Sequence, residues 1–222
     1  MKGFEIEGKL DVLTDLQQAS RLVSQLYRHF DQDEGNFVIT PGFTSVNSQS
    51  TMGTYVFDRE HPGIEGKMLV GLDAKYSTKM TSVEDSNGVL VRHEEKGERF
   101  EYNRQHARDA MKGMDLAGKT QRIRRAFYLS SRETGRVYKL SIDFNWKLPI
   151  QENDFFSQLE VEYTGIPTQQ YPGIAEPGAP NFEAIKKETG KLTDDIKKHL
   201  ERLGIPFGKG QRKVDMLAAD HT

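Results

Sequence analysis

Residues 4–10 read FEIEGKL, in which Phe4, Ile6, Gly8 and Leu10 alternate with Glu5, Glu7 and Lys9. Period-two alternation puts the first set on one face of a β-strand and the three charges on the other. The same division recurs downstream. In Val89–Lys96, Val89 and Val91 oppose Arg92, Glu94 and Lys96, and in Gln121–Tyr128, Ile123 and Phe127 oppose Arg122 and Arg124. In Lys139–Asn145, Leu140, Ile142 and Phe144 oppose Lys139, Ser141, Asp143 and Asn145, and in Leu159–Tyr163 the acids Glu160 and Glu162 stand alone on their face. Lys67–Ser77 is read as one further strand, with Met68, Val70, Leu72, Ala74 and Tyr76 opposite Asp73, Lys75 and Ser77. Shorter strands are expected near Phe37–Thr40 and Gly53–Asp58, with Gly, Asn, Asp and Pro as punctuation.

Between the first strand and the rest, Leu16, Ala19, Leu22, Val23, Leu26, Tyr27 and Phe30 recur at helical spacing, with Thr14 or Asp15 available as N-cap. A short helix is expected within Arg104–Met114. At the other end, four prolines in residues 166–180 predict an extended connector, and residues 181–222 a mildly basic helical tail. Within that tail the pattern predicts two helical segments, Phe182–Thr189 and then Asp194–Leu203, the second capped by Thr193 and Gly204. The expected fold class is α+β, mainly β, with residues 1–165 as the working domain.

Composition narrows the function. The chain has 222 residues, Lys+Arg 31 against Asp+Glu 33 and a net charge of -2, which excludes a wholesale basic coat for nucleic acid. The absence of Cys excludes thiol catalysis, Cys-based zinc sites, iron–sulfur clusters and disulfides. No apolar run approaches the length of a membrane span, and the first twenty residues are too charged for a signal peptide, so the expected compartment is the cytoplasm and no membrane partner is expected.

The signs of charge are sorted by strand. Acids pair at i, i+2 on the first strand (Glu5, Glu7) and the last (Glu160, Glu162), while the middle strands supply Lys75, Arg92, Lys96, Arg122 and Arg124. A face merely wetted by solvent has no need of that sorting. If the first and last strands meet, four carboxylates converge into a hard-oxygen site for Mg²⁺ or Mn²⁺, and the basic strands form a cradle for phosphate oxygens.

At these residues the chain resembles the CYTH, or triphosphate tunnel metalloenzyme, superfamily. Glu5-x-Glu7-x-Lys9 looks like its ExExK signature, LEVEY with Glu160 and Glu162 looks like its closing acidic strand, and KTQRIRRAFY and YKLSIDFN fall between them in a similar order. The resemblance covers residues 1–165 and implies a closed antiparallel eight-stranded barrel with a charged interior. It implies metal binding by Glu5, Glu7, Glu160 and Glu162, and a grip on the triphosphate by Lys9, Lys75, Arg92, Lys96, Arg122 and Arg124. The implied reaction is metal-dependent hydrolysis of a terminal phosphate from an RNA 5′ end, a nucleoside triphosphate or tripolyphosphate, with a cyclase branch as a further possibility of the family. Asp143 or Glu94 is the candidate to orient the attacking water. Where family members often carry two acids at i, i+2, this chain has Asp143 flanked by Ser141 and Asn145.

Two rival readings stand beside it. One is a barrel that captures a phosphorylated ligand without turning it over. The other rests on GMDLAGKT at residues 113–120, a full match to the P-loop pattern, which requires a strand before it and a helix after it. The six His show no metal-binding spacing.

Overall fold

The structure is a computed structural model. It describes residues 2–32, 35–43, 45–59, 64–69, 73–84, 88–96, 100–101, 109, 111–150, 154–165 and 181–218, with the side chains of 2–3, 52, 58–59, 64–69, 73–84, 96, 100–101, 165, 214 and 218 outside that description.

Alternation in FEIEGKL becomes β1 (Lys2–Val12), and the helical spacing after it becomes α1 (Leu16–Asp31), whose N-cap Asp15 accepts a hydrogen bond from the Gln18 amide at 2.7 Å. There follow β2 (Phe37–Ile39), β3 (Asn47–Arg59), β4 (Ile64–Leu69), β5 (Asp73–Glu84), β6 (Val89–Lys96) and β7 (Phe100–Glu101). The long strands β8 (Asp115–Ser131), β9 (Val137–Lys147) and β10 (Phe155–Gly165) complete the expected run. The C-terminal part adds α2 (Phe182–Arg202), β11 (Phe207–Lys209) and α3 (Lys213–Ala218).

The chain is mainly β, built on a curled antiparallel sheet in the order β10-β9-β8-β3-β4-β5-β6-β1-β11, with β2 on β8 and β7 on β5. The curl brings β10 back to β1, so that Glu7 stands opposite Glu162 and Lys9 opposite Glu160. On its other edge β1 pairs first with β6, through Lys2–Gly8, and then with β11, through Leu10–Val12.

One face of the sheet carries the hydrophobic core. Leu10 and Val12 of β1, Phe127 and Leu129 of β8, Leu140, Ile142 and Phe144 of β9, and Leu159 and Val161 of β10 pack under α1 and α2. Helix α1 contributes Ala19, Leu22, Val23, Leu26 and Phe30, and α2 contributes Leu192, Ile196 and Leu200. At roughly 1.5–3 kcal/mol for each large aliphatic side chain taken out of water, this layer is the main source of stability. The helices therefore cover the apolar face, and the charged face turns into the hollow of the curl.

Two expectations change on contact with the structure. Lys67–Ser77 is not one strand, because its two ends belong to β4 and β5, antiparallel neighbours with Met68 opposite Tyr76. The two helices predicted in the tail are one, since the Thr193 hydroxyl donates to the Thr189 carbonyl at 2.8 Å instead of capping a new start. Helix α2 also shares the core of the sheet, through Leu192, Ile196 and Leu200. It crosses β1 at Gly8, where a Cβ would lie 2.0 Å from the Thr193 Oγ1, so the missing side chain is what admits the helix. Most of the helix expected within Arg104–Met114, and the whole 166–180 connector, lie outside the described residues. No helix among the described residues is long and apolar enough to cross a membrane.

Candidate anion-binding interior

The inward faces of β1, β6, β9 and β10 carry mostly polar side chains, several of them fully buried and others, such as Glu5, Glu94, Lys139, Glu160 and Glu162, partly so. Glu7 and Lys9 are 2% exposed, Arg92 and Asp11 3%, and Asp143, Asn145 and Gln158 0%. Strand periodicity places them: Glu5, Glu7, Lys9 and Asp11 alternate with the core-facing Ile6, Gly8, Leu10 and Val12, so a charge on this face can point only inward.

Inside, acids rest on bases. Arg92 of β6 lies 3.0 Å from Glu7 of β1, Lys139 of β9 bonds Glu162 of β10, and Arg124 of β8 bonds Glu160 of β10. The densest contact is at Asp143 of β9. Arg124 donates to both its oxygens, Nε to Oδ1 at 2.5 Å and Nη2 to Oδ2 at 2.7 Å, while Arg122 Nη1 stands 3.4 Å and Lys213 Nζ 3.3 Å from Oδ2. Three cations thus share one carboxylate. Burial pushes the Asp143 carboxyl up, but the charges of Arg124 and Lys213 overcome it and hold the group well below the usual carboxylate range. Burial likewise opposes the charge on Arg124, and Glu160 and Asp143 more than offset it.

A second polar knot involves Lys9, Asp11 and Gln158. The Gln158 amide donates to Asp11 Oδ1 at 2.8 Å and to the Gln211 carbonyl at 3.0 Å, and Lys9 Nζ donates to that same carbonyl at 2.7 Å. Burial raises the Asp11 carboxyl, with the hydrogen bonds from Gln158 and from the Gln211 amide working against it. Several buried polar atoms beside these knots have no hydrogen-bond partner: Ser141 Oγ, Gln158 Oε1 and Arg122 Nε. Buried donors and acceptors are ordinarily paired, so these mark places where the fold alone does not complete the polar network.

Of the residues expected at the site, Glu7, Lys9, Arg92, Arg122, Arg124, Asp143 and Glu160 are brought onto one inward surface, with Glu5, Glu94 and Glu162 on the same faces of β1, β6 and β10. Lys75 and Lys96 lie in β5 and β6 by backbone pairing, and their side chains lie outside the described residues. Glu5, Glu7, Glu160 and Glu162 share the inward face of two paired strands, a hard-oxygen set suited to Mg²⁺ or Mn²⁺. Among the described residues no three acids or histidines stand close enough to hold an ion as they are. Glu7, Glu160 and Glu162 each pair instead with a base, Arg92, Arg124 and Lys139.

Sequence reasoning left out Lys139, Gln158, Asp11 and Lys213. The first three carry the same alternation as their neighbours and were within its reach, whereas nothing local to Lys213 points inward. The P-loop pattern has another explanation. Gly118, Lys119 and Thr120 lie within β8 and no helix follows, while Lys119 Nζ sits 5.1 Å from the centre of the Tyr55 ring.

No family model matches the chain, and no curated protein does. Among solved structures, a conserved hypothetical protein from Pyrococcus furiosus is similar over 95% of this chain and 99% of its own, with a TM-score of 0.47 and 11% identity. A Pyrococcus horikoshii protein gives 0.44 and 12%, over 96% of this chain and 98% of its own. The Pct1 RNA triphosphatase of S. pombe gives 0.35 and 12%, over 90% of this chain and 83% of its own.

Proposed function

We propose that the curled sheet is a closed eight-stranded tunnel, formed by β1, β3, β4, β5, β6, β8, β9 and β10, and that its interior takes the terminal phosphates of an oligophosphate and hydrolyses the last one. The observation that carries the reading is the burial of so many ionisable groups on inward faces. Each buried charge loses several kcal/mol of hydration, and well-packed apolar residues would make the fold at least as stable. A polar interior of this density is what a polyanionic ligand requires. Support for closure is the return of the strand pairings from β10 to β1.

In this reading the acid–base pairs are the resting state. An entering phosphate chain competes for Arg92, Arg122, Arg124 and Lys139, with charge-assisted hydrogen bonds replacing those to the acids. Glu5, Glu7, Glu160 and Glu162 are then the residues that would hold Mg²⁺ or Mn²⁺. Such an ion neutralises phosphate oxygens as a Lewis acid. In the chemical step a water oxygen bonds the terminal phosphorus as the bridging P–O bond breaks, the bridging oxygen leaving on the shortened chain with the electron pair and the water's proton passing to a phosphate oxygen. Arginines held in place beforehand stabilise the charge of that transfer. Asp143 serves as the anchor that spaces Arg122 and Arg124, because a carboxyl with depressed pKa is a weak proton acceptor. Glu94, on the same face as Arg92, is the remaining candidate to orient water. RNA 5′ ends, nucleoside triphosphates and tripolyphosphate are the substrate classes.

The test is phosphate release from tripolyphosphate, ATP and triphosphorylated RNA with Mg²⁺ or Mn²⁺, in wild type and in Glu5→Ala and Glu162→Ala. Loss of turnover in both folded variants is expected, and unchanged turnover in both contradicts it. The neutralisation of Glu7, Glu160 and Glu162 by bases also favours a second reading, capture without turnover, in which binding survives EDTA and no product forms.

A further inference from the structure

Ser141 carries a buried hydroxyl that the resting fold does not use. It lies on the inward face of β9 with Lys139, Asp143 and Asn145, opposite Glu160 of β10 and Ala126 of β8. It is 1% exposed, and its Oγ has no hydrogen-bond partner among the described residues. A hydroxyl in that state is a net cost, because it has given up its bonds to water and gained none in return. Packing does not require the oxygen. Across the ladder Ala126 fills the matching position with a methyl group alone and is itself buried.

The charges around Ser141 are tied to one another over it. Arg124 is in register with Asp143, and Glu160 with Ser141, so the bond from Arg124 Nη2 on β8 to Glu160 Oε2 on β10 passes across β9 between those two levels. The same nitrogen donates to Asp143 Oδ2 at 2.7 Å. One guanidinium therefore joins the two acids nearest Ser141 on this face, one along its own strand and one across the ladder. That bridge accounts for the burial of the hydroxyl and for a small residue beneath it. Lys139, two residues away along β9, bonds Glu162. Ser141 thus stands between two cations, each held to an acid of β10.

We propose that Ser141 is a substrate-binding residue, its hydroxyl donating to a phosphate oxygen once the ligand has drawn Arg124 away from Glu160. The inference rests on the interior being an oligophosphate site and adds the neutral donor that fixes where a phosphate sits. Ionised phosphate oxygens accept hydrogen bonds and donate none, so an unused hydroxyl between two cations complements them. Guanidinium and ammonium groups attract an anion from any direction, whereas a hydroxyl on a strand bonds only an oxygen brought to one point. With ligand bound, the hydroxyl gains the partner it lacks at rest.

Ser141→Ala removes the oxygen and leaves the volume nearly unchanged. The full wild-type chain and this variant are compared by urea melts and by calorimetric titration with tripolyphosphate, with and without Mg²⁺, at a temperature where both are folded. The variant is expected to be at least as stable as wild type, while tripolyphosphate binds about tenfold more weakly, the order expected for a lost hydrogen bond to a charged group. Unchanged affinity overturns the proposal. Early melting of the variant overturns it too, whatever the affinity, because the hydroxyl would then already serve the resting fold, as it would through a buried water. If wild type itself does not bind tripolyphosphate, the oligophosphate reading falls and this inference with it. If wild type and Ser141→Ala bind equally well, only the role of Ser141 falls.

Discussion

Asp143 shows what the interior demands of a single residue. Its carboxylate, fully buried, is bonded by Arg124 and approached by Arg122 and Lys213. Replacing it by Asn keeps the shape and removes the charge, leaving three cations around a neutral amide. Breaking a buried pair in this way costs about 3–5 kcal/mol. The pH dependence follows from the depressed pKa. The group binds its proton more weakly folded than unfolded, so its contribution is complete above the unfolded value of about 4 and fades as pH falls through the lower folded value. Urea melts of Asp143→Asn at neutral pH should show the full loss, and the gap to wild type should begin to narrow only below pH ~4 and keep narrowing as pH falls further. A gap that is constant with pH would mean that the cations do not act through this charge. The glutamates tell the same story across strands: Glu7 pairs with Arg92 of β6, although the residue opposite Arg92 in register is Glu5. Such a diagonal pairing depends on strand register and twist, and alternation within one strand is silent about both.

Elements were legible where inward and outward faces are chemically distinct. FEIEGKL, YKLSIDFN and LEVEY each announce their strand and its facing because helices cover the apolar side and the polar side turns inward. Legibility failed where the alternation runs on in phase, as through Lys67–Ser77, where the residues of β4 and β5 that share a face keep the same parity across the break. It failed again at α2, where Thr193 reads as a cap. Tertiary packing overrides that reading, since Thr193 is buried and fits the space left by Gly8. The contact gives a prediction at this scale. Gly8→Ala forces α2 away from β1 and should destabilise the protein by about 1–3 kcal/mol. Adding Thr193→Gly should recover a large part of that in denaturant melts, and an additive pair of losses would show that the two residues do not meet.

For the whole molecule, the balance of 31 basic and 33 acidic residues acquires a location. The helices sit on the apolar face, and opposite charges are paired between nearby strands on the inward face, so the low net charge is partly an internal neutrality. The C-terminal segment was the least legible part, because its role depends on a chain reversal that brings Lys213 to Asp143, 70 residues away in sequence. The central claim is that this interior is an oligophosphate site, and titration calorimetry of tripolyphosphate into the full chain at low and high salt, with and without Mg²⁺ or Mn²⁺, tests it most directly. Saturable one-to-one binding that weakens as salt rises is expected. No heat of binding under any of those conditions would contradict it.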